Sequence, residues 1–165
     1  MNNELYYNYE LPLSIELLFN NSLLDTMALM CVISGFTKRK NGVSIDELAF
    51  YYSIITSEVK ILGDKTDIIF DSSEAKYDID ARYLTIKDKV RLMITYLANL
   101  DYINIFISTK DGINSVFIKA NKVGNSIVKA LESDYYLDLQ NKTKDIIGKM
   151  NFSMRNVKKV SGVEL

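Results

Sequence analysis

Thr85-Ile86-Lys87-Asp88-Lys89-Val90-Arg91-Leu92-Met93-Ile94-Thr95-Tyr96-Leu97-Ala98-Asn99-Leu100-Asp101-Tyr102-Ile103-Asn104-Ile105-Phe106-Ile107 changes its hydrophobic period once, and that change decides the fold. Up to Leu100, the apolar residues Ile86, Val90, Met93, Ile94, Leu97 and Leu100 recur at steps of three and four, the spacing of one buried helix face. Lys87, Arg91, Thr95 and Asn99 drift along the polar side. From Ile103 onward the pattern alternates, with Ile103, Ile105 and Ile107 on one strand face and Val116 and Ile118 on the next. Lys110-Asp111-Gly112 lies between the two strands, and Asp-Gly is a strong hairpin signal because both turn residues tolerate positive φ. Asn121 then caps a helix carrying Val123, Ile127, Val128 and Leu131, which continues or restarts through Ile146, Ile147 and Met150.

Working back from this stretch, Ser44 offers an N-cap and Glu47, three residues on, completes a capping box for a helix reaching Ile55. Before it, Ser22 caps a helix from Leu23 to about Phe36, apolar on most sides and therefore central. Glu10 to Phe19, with Pro12 in a first turn, reads as a further helix. The order helix, helix, amphipathic helix, β-hairpin, helix predicts an α+β, mainly helical fold. The expected architecture is a winged helix-turn-helix core with a β-hairpin wing and extra terminal helices. Residues 1–141 would form this domain, with an N-terminal extension and an acidic insertion near 57–84. Residues 142–165 would form a basic C-terminal helix or tail.

Bulk properties narrow the function. The 165 residues suffice for one domain with a real core. No apolar run approaches the roughly 20 residues of a membrane span. The polar, acid-bearing Met1 to Glu10 does not read as a signal peptide. A single cysteine suits a reducing cytoplasm, the expected location. Histidine is absent, which removes the commonest general base and metal ligand. Asp78-x-Asp80, with Asp71 and Glu74 nearby, lacks the glycine and terminal glutamate of a calcium loop and reads as a solvated acidic loop. Cys31 reads as a buried core thiol, and the glycines form no phosphate-cradling motif. No catalytic, metal or cofactor site is therefore expected.

Two basic regions are candidates for contacts. Lys87, Lys89, Arg91 and Thr95 on the amphipathic helix, with Lys110 at the wing tip, occupy the positions from which a winged helix reads DNA. The net charge of −1 argues against a dedicated duplex binder, whose affinity comes largely from Lys and Arg on phosphates. The second region, Lys142, Lys144, Lys149, Arg155, Lys158 and Lys159, is opposed only by Asp145 from residue 142 to 159. Such a segment can touch phosphate, solubilise an end, or dock. Interleaved apolar residues such as Phe152 favour docking. The tyrosine clusters also suit protein contacts.

Leu18-Phe19-Asn20-Asn21-Ser22-Leu23-Leu24, Ile33-Ser34-Gly35-Phe36 and Gly42-Val43-Ser44-Ile45-Asp46-Glu47-Leu48 resemble the opening of the middle components of bacterial ABC-three-component systems. Arg91 to Ile103 resembles their later helix and the approach to the wing. The resemblance implies a non-catalytic accessory subunit linking an SMC/Rad50-like ABC ATPase to an effector in anti-phage defence of the Lamassu type. Chemistry would then lie in partner subunits, with nucleic acid a further contact within the complex. The alternative reading is a dimeric winged-helix DNA-binding transcriptional regulator.

Overall fold

The computed structural model describes residues 21–57, 61–62, 69–70, 73–110 and 113–161, with backbone only for 61–62, 69–70, 73–81, 110 and 113–114. The helix expected over Glu10–Phe19, residues 58–60, 63–68 and 71–72 of the acidic insertion, and the Asp111-Gly112 turn lie outside these residues. The chain is α+β and mainly helical, with a three-stranded antiparallel sheet.

Helix α1 (Ser22–Gly35) is central, as its apolar circumference requires: Ala28, Leu29, Met30, Cys31, Val32 and Ile33 are all buried. Its N-cap is Asn21, whose side chain accepts from the Leu24 amide at 3.2 Å, and not Ser22 as the sequence suggested. Asn20, Asn21 and Ser22 are consecutive residues of comparable capping preference, so composition alone cannot choose among them.

Strand β1 (Val43–Ser44) leads directly into α2 (Ile45–Ile55). Ser44 caps α2 by accepting from the Glu47 amide at 3.2 Å. Gly42 holds φ at 76°, and a Cβ there would lie 2.3 Å from the Ile118 carbonyl oxygen. Only glycine lets this turn lie against the sheet. Tyr51 and Tyr52 on α2 are buried, which settles their role as core packing. The Tyr51 hydroxyl donates to the Met150 carbonyl at 2.9 Å, satisfying the polar end of a buried ring.

Short strands β2 (Ile61–Leu62) and β3 (Ile69–Phe70) pair antiparallel. Helix α3 (Ser73–Asn99) then begins twelve residues before the expected Thr85. Residues 73–84 contain no Gly or Pro and include Glu, Ala, Lys, Arg and Leu, all good helix formers. Their acidity suggested a loop, but acidity by itself does not oppose a helix. Among its described side chains, the buried face of α3 is Tyr83, Val90, Met93, Ile94 and Leu97.

The end of α3 is a Schellman motif. The Tyr102 amide bonds the Leu97 carbonyl and the Asp101 amide bonds that of Ala98, both at 3.0 Å. Asp101 takes the left-handed position at φ 55°. Strands β4 (Ile103–Lys110) and β5 (Ile113–Ala120) follow as a hairpin closing at Lys110↔Ile113. β5 also pairs with β1 through Val43↔Ile118, giving the sheet order β1-β5-β4. The register puts Ile103, Ile105 and Ile107 on one face with Ala120, Ile118 and Val116. That face enters the core at Ile103 and Ile118.

Helix α4 (Lys122–Ala130) is capped by Asn121, whose side chain accepts from the Gly124 amide at 2.9 Å and donates to the Asp101 carbonyl at 2.6 Å. Asn125 joins α4 to α1 and β5: its oxygen accepts from Ser34 and Thr37, and its nitrogen donates to the Ala120 and Asn121 carbonyls. The chain then restarts as α5 (Asp134–Lys149) and ends in α6 (Met154–Ser161). Residues 141 and 142 both lie within α5, so no break separates the basic segment from the domain. Leu139 and Thr143, one turn apart, are both buried on this helix. α5 packs on α1 and α2, and α6 on α3. Met150 and Val160 are in the core, and Phe152 meets Phe50 edge-on at 5.5 Å.

Candidate functional site

Helix α3 positions the predicted groove-reading residues, and it also places a carboxylate beside each cation. Lys87 Nζ is 2.7 Å from Asp46 Oδ1, at the start of α2. Lys89 Nζ is 2.5 Å from Asp25 Oδ2, in the first turn of α1. Arg91 bonds Asp88 at 3.1 Å, one turn back on its own helix. The Thr95 hydroxyl donates to the Arg91 carbonyl at 3.2 Å. Of Lys110 only the backbone is described, at the last position of β4. The structure therefore gathers Lys87, Lys89, Arg91 and Thr95 on one helix but offsets their charge locally.

Between these cations runs a different row. Leu84, Asp88, Leu92, Tyr96 and Leu100 follow at steps of four, a slowly turning line on the helix surface. Four of the five are large apolar residues, and all four are exposed, Leu84 by 64% and Leu92 by 57%. From the same turn at residues 100–102, β4 carries the inner sheet face outward beyond the core. Ile105 and Ile107 emerge there, Ile107 exposed by 71%. Exposed apolar patches mark protein or membrane contact surfaces or ligand-binding grooves. A phosphate backbone offers them nothing.

Sequence reasoning missed this row. Its signal was present in Leu92 and Tyr96, which fall off the buried three-and-four spacing; Leu100, expected on the buried face, is 49% exposed. The counterions Asp25 and Asp46 had no local signal, because they lie on other helices.

Beside Asp25 a polar pocket of about 370 Å³ is lined by Tyr52, Thr56, Arg82, Thr85, Ile86 and Lys89. The Tyr52 hydroxyl reaches Asp25 Oδ1 at 3.4 Å. Burial, then the Asp25 charge, pushes the Tyr52 phenol well above its usual range, so it stays protonated and serves as a donor. Cys31 is buried, and desolvation raises its thiol to about 11, which leaves little thiolate at neutral pH. Among the described residues, no group of three or more His, Cys, Asp or Glu is placed to hold a metal ion. Likewise among them, no helix is long and apolar enough to cross a membrane.

The second basic region is distributed over two helices. Lys142 pairs with Asp138 at 3.3 Å and Lys149 with Asp145 at 2.7 Å, both within α5. Lys144 borders a small cleft with Cys31, Ser34, Gly35 and Val128. Arg155 and Lys158 are exposed on α6, and Lys159 is half-buried. Phe152 is partly covered by Phe50, so its ring belongs in part to the fold. Compared with family models, with curated proteins and with solved structures, the chain matches none of them.

Proposed function

We propose that the chain is a winged-helix accessory subunit, without catalytic action of its own, that docks other proteins through α3 and the wing. The winged-helix reading is supported by the succession α1, β1, α2, α3, β4, β5, with the short β2–β3 pair inserted between α2 and α3, and by the sheet order β1-β5-β4. In that arrangement α3 is the recognition helix, β4 and β5 are the wing, and α4 to α6 are additions. The observation that carries the docking function is the exchange of free charge for apolar surface. Lys87, Lys89 and Arg91 are each paired with a carboxylate, while Leu84, Leu92, Tyr96, Ile105 and Ile107 stand in solvent.

The partners we propose are an SMC/Rad50-like ABC ATPase and an effector of a Lamassu-type anti-phage system, within the cytoplasm. This part rests on the sequence resemblance of residues 18–24, 33–36, 42–48 and 91–103. ATP hydrolysis and any nuclease action then belong to the partners. Co-expression with the products of neighbouring genes tests it: recovery of an ABC-type ATPase in stoichiometric amount is expected. Behaviour as a free monomer with every neighbour contradicts it.

The second reading, a dimeric DNA-binding regulator, is favoured by the same helix order. It requires salt-sensitive duplex binding that weakens on Lys87→Ala or Arg91→Ala. No binding at low salt removes it.

A further inference from the structure

The outer face of the wing sheet differs from both surfaces described above. The β4–β5 register sets Asn104, Phe106 and Ser108 opposite Lys119, Phe117 and Ser115. Among the described side chains the face therefore holds two phenylalanines directly across from each other, one lysine, small polar residues and no carboxylate. Phe106 is 45% exposed, unusual for a ring this large, and Phe117 is half-buried. With Ser108, Lys40 and Asn41 they line a groove of about 290 Å³.

The loop before β1 is fastened beside this groove. Arg39 is held at the surface, bonding Glu47 at 2.6 Å and lying 4.6 Å above the Phe36 ring. Lys119 Nζ donates to the Lys40 carbonyl at 3.5 Å, tying the loop to β5. Lys38 and Lys40 are left exposed on either side of the anchored arginine. Among the described residues, no carboxylate pairs with Lys38, Lys40 or Lys119. This contrasts with α3, where Lys87, Lys89 and Arg91 are each matched.

We infer that this face binds single-stranded nucleic acid. Exposed rings offer stacking surfaces that every base can use, and uncompensated lysines beside them follow the phosphates. Strands of eight residues span roughly 26 Å, room for about four nucleotides on one such platform. A duplex keeps its bases stacked inside and presents none to the rings. An acidic peptide would satisfy the lysines but leave the phenylalanines idle. The site is separate from the α3 docking row, and its fate does not depend on that reading.

Fluorescence anisotropy of the full chain tests this with labelled oligothymidylate and oligouridylate of about twelve nucleotides, and with a duplex of equal length. Both single strands should bind at about 50 mM salt and lose about twentyfold in affinity by about 200 mM, as contact with three phosphates implies. Phe106→Ala should weaken binding about tenfold, the range of one lost base stack. Lys40→Glu, on an exposed loop where folding is not at risk, should weaken it by a similar factor. Absence of single-strand binding, equal or tighter duplex binding, or indifference to both substitutions overturns the proposal. Displacement by polyglutamate as effective as by unlabelled oligothymidylate also overturns it, marking the face as an acidic-peptide surface.

Discussion

Lys89 Nζ lies 2.5 Å from Asp25 Oδ2, so a cation on the exposed side of α3 is held against the first turn of α1. A carboxylate there is also favoured by the positive end of the α1 dipole. Together with Lys87–Asp46, this contact takes charge away from the side of α3 that would meet a DNA groove. Replacing both acids, Asp25→Asn with Asp46→Asn, should therefore raise non-specific duplex affinity, with a steep salt dependence absent from the parent. Both pairs are partly exposed, so stability should fall by less than about 1 kcal/mol per pair. Anisotropy titrations at several salt concentrations and a urea melt read the two effects separately.

Asp101 occupies a left-handed position at the α3 terminus, where a side chain other than glycine's is crowded. The bonds that use this residue are backbone bonds: its amide to Ala98 and its carbonyl to Asn121. Asp101→Gly should leave both in place and raise unfolding stability by about 0.5–1 kcal/mol. A urea melt showing a loss of that size would mean that the aspartate side chain has a role beyond the turn.

Stability should decline on the alkaline side. Burial raises the Cys31 thiol from 9.0 to about 11 and moves Tyr51, Tyr52 and Tyr83 upward from 10.0. The unfolded chain thus releases these protons first, and above about pH 9 it binds fewer than the folded chain. The stability these groups confer is full below that pH and is lost as pH rises. Cys31→Ala should flatten the part of the decline between about pH 9 and 11, leaving the tyrosine part unchanged. Urea midpoints across this range check the slope independently of any constant loss from the substitution.

Much of the architecture was legible because local signals agreed with tertiary ones. The Ser44 and Asn121 caps, the change of period at Ile103 and the central apolar helix are each stated by a few adjacent residues. What escaped was non-local or ambiguous. β1 is two residues long, and only its register with β5 makes it a strand. The start of α3 was hidden by acidic residues whose charge suggested a loop but whose helix propensity was adequate. The basic stripe of α3 was readable as composition, but its neutralisation depends on Asp25 and Asp46, which are far away in sequence. The basic C-terminal segment looked like an appendage because its lysines are frequent. Met150 and Val160, buried against the rest of the domain, make it part of the fold.

The central claim is that α3 and the wing form a protein docking face. The most direct measurement is affinity co-purification of the tagged chain from its native locus, compared with Leu92→Glu/Tyr96→Glu. Both side chains stand in solvent, so the variant's melting temperature should match the parent's. Stoichiometric recovery of an ABC-type ATPase by the parent, abolished in the variant, is the predicted result. Recovery of the parent alone as a discrete dimer, or equal capture by both proteins, would contradict it.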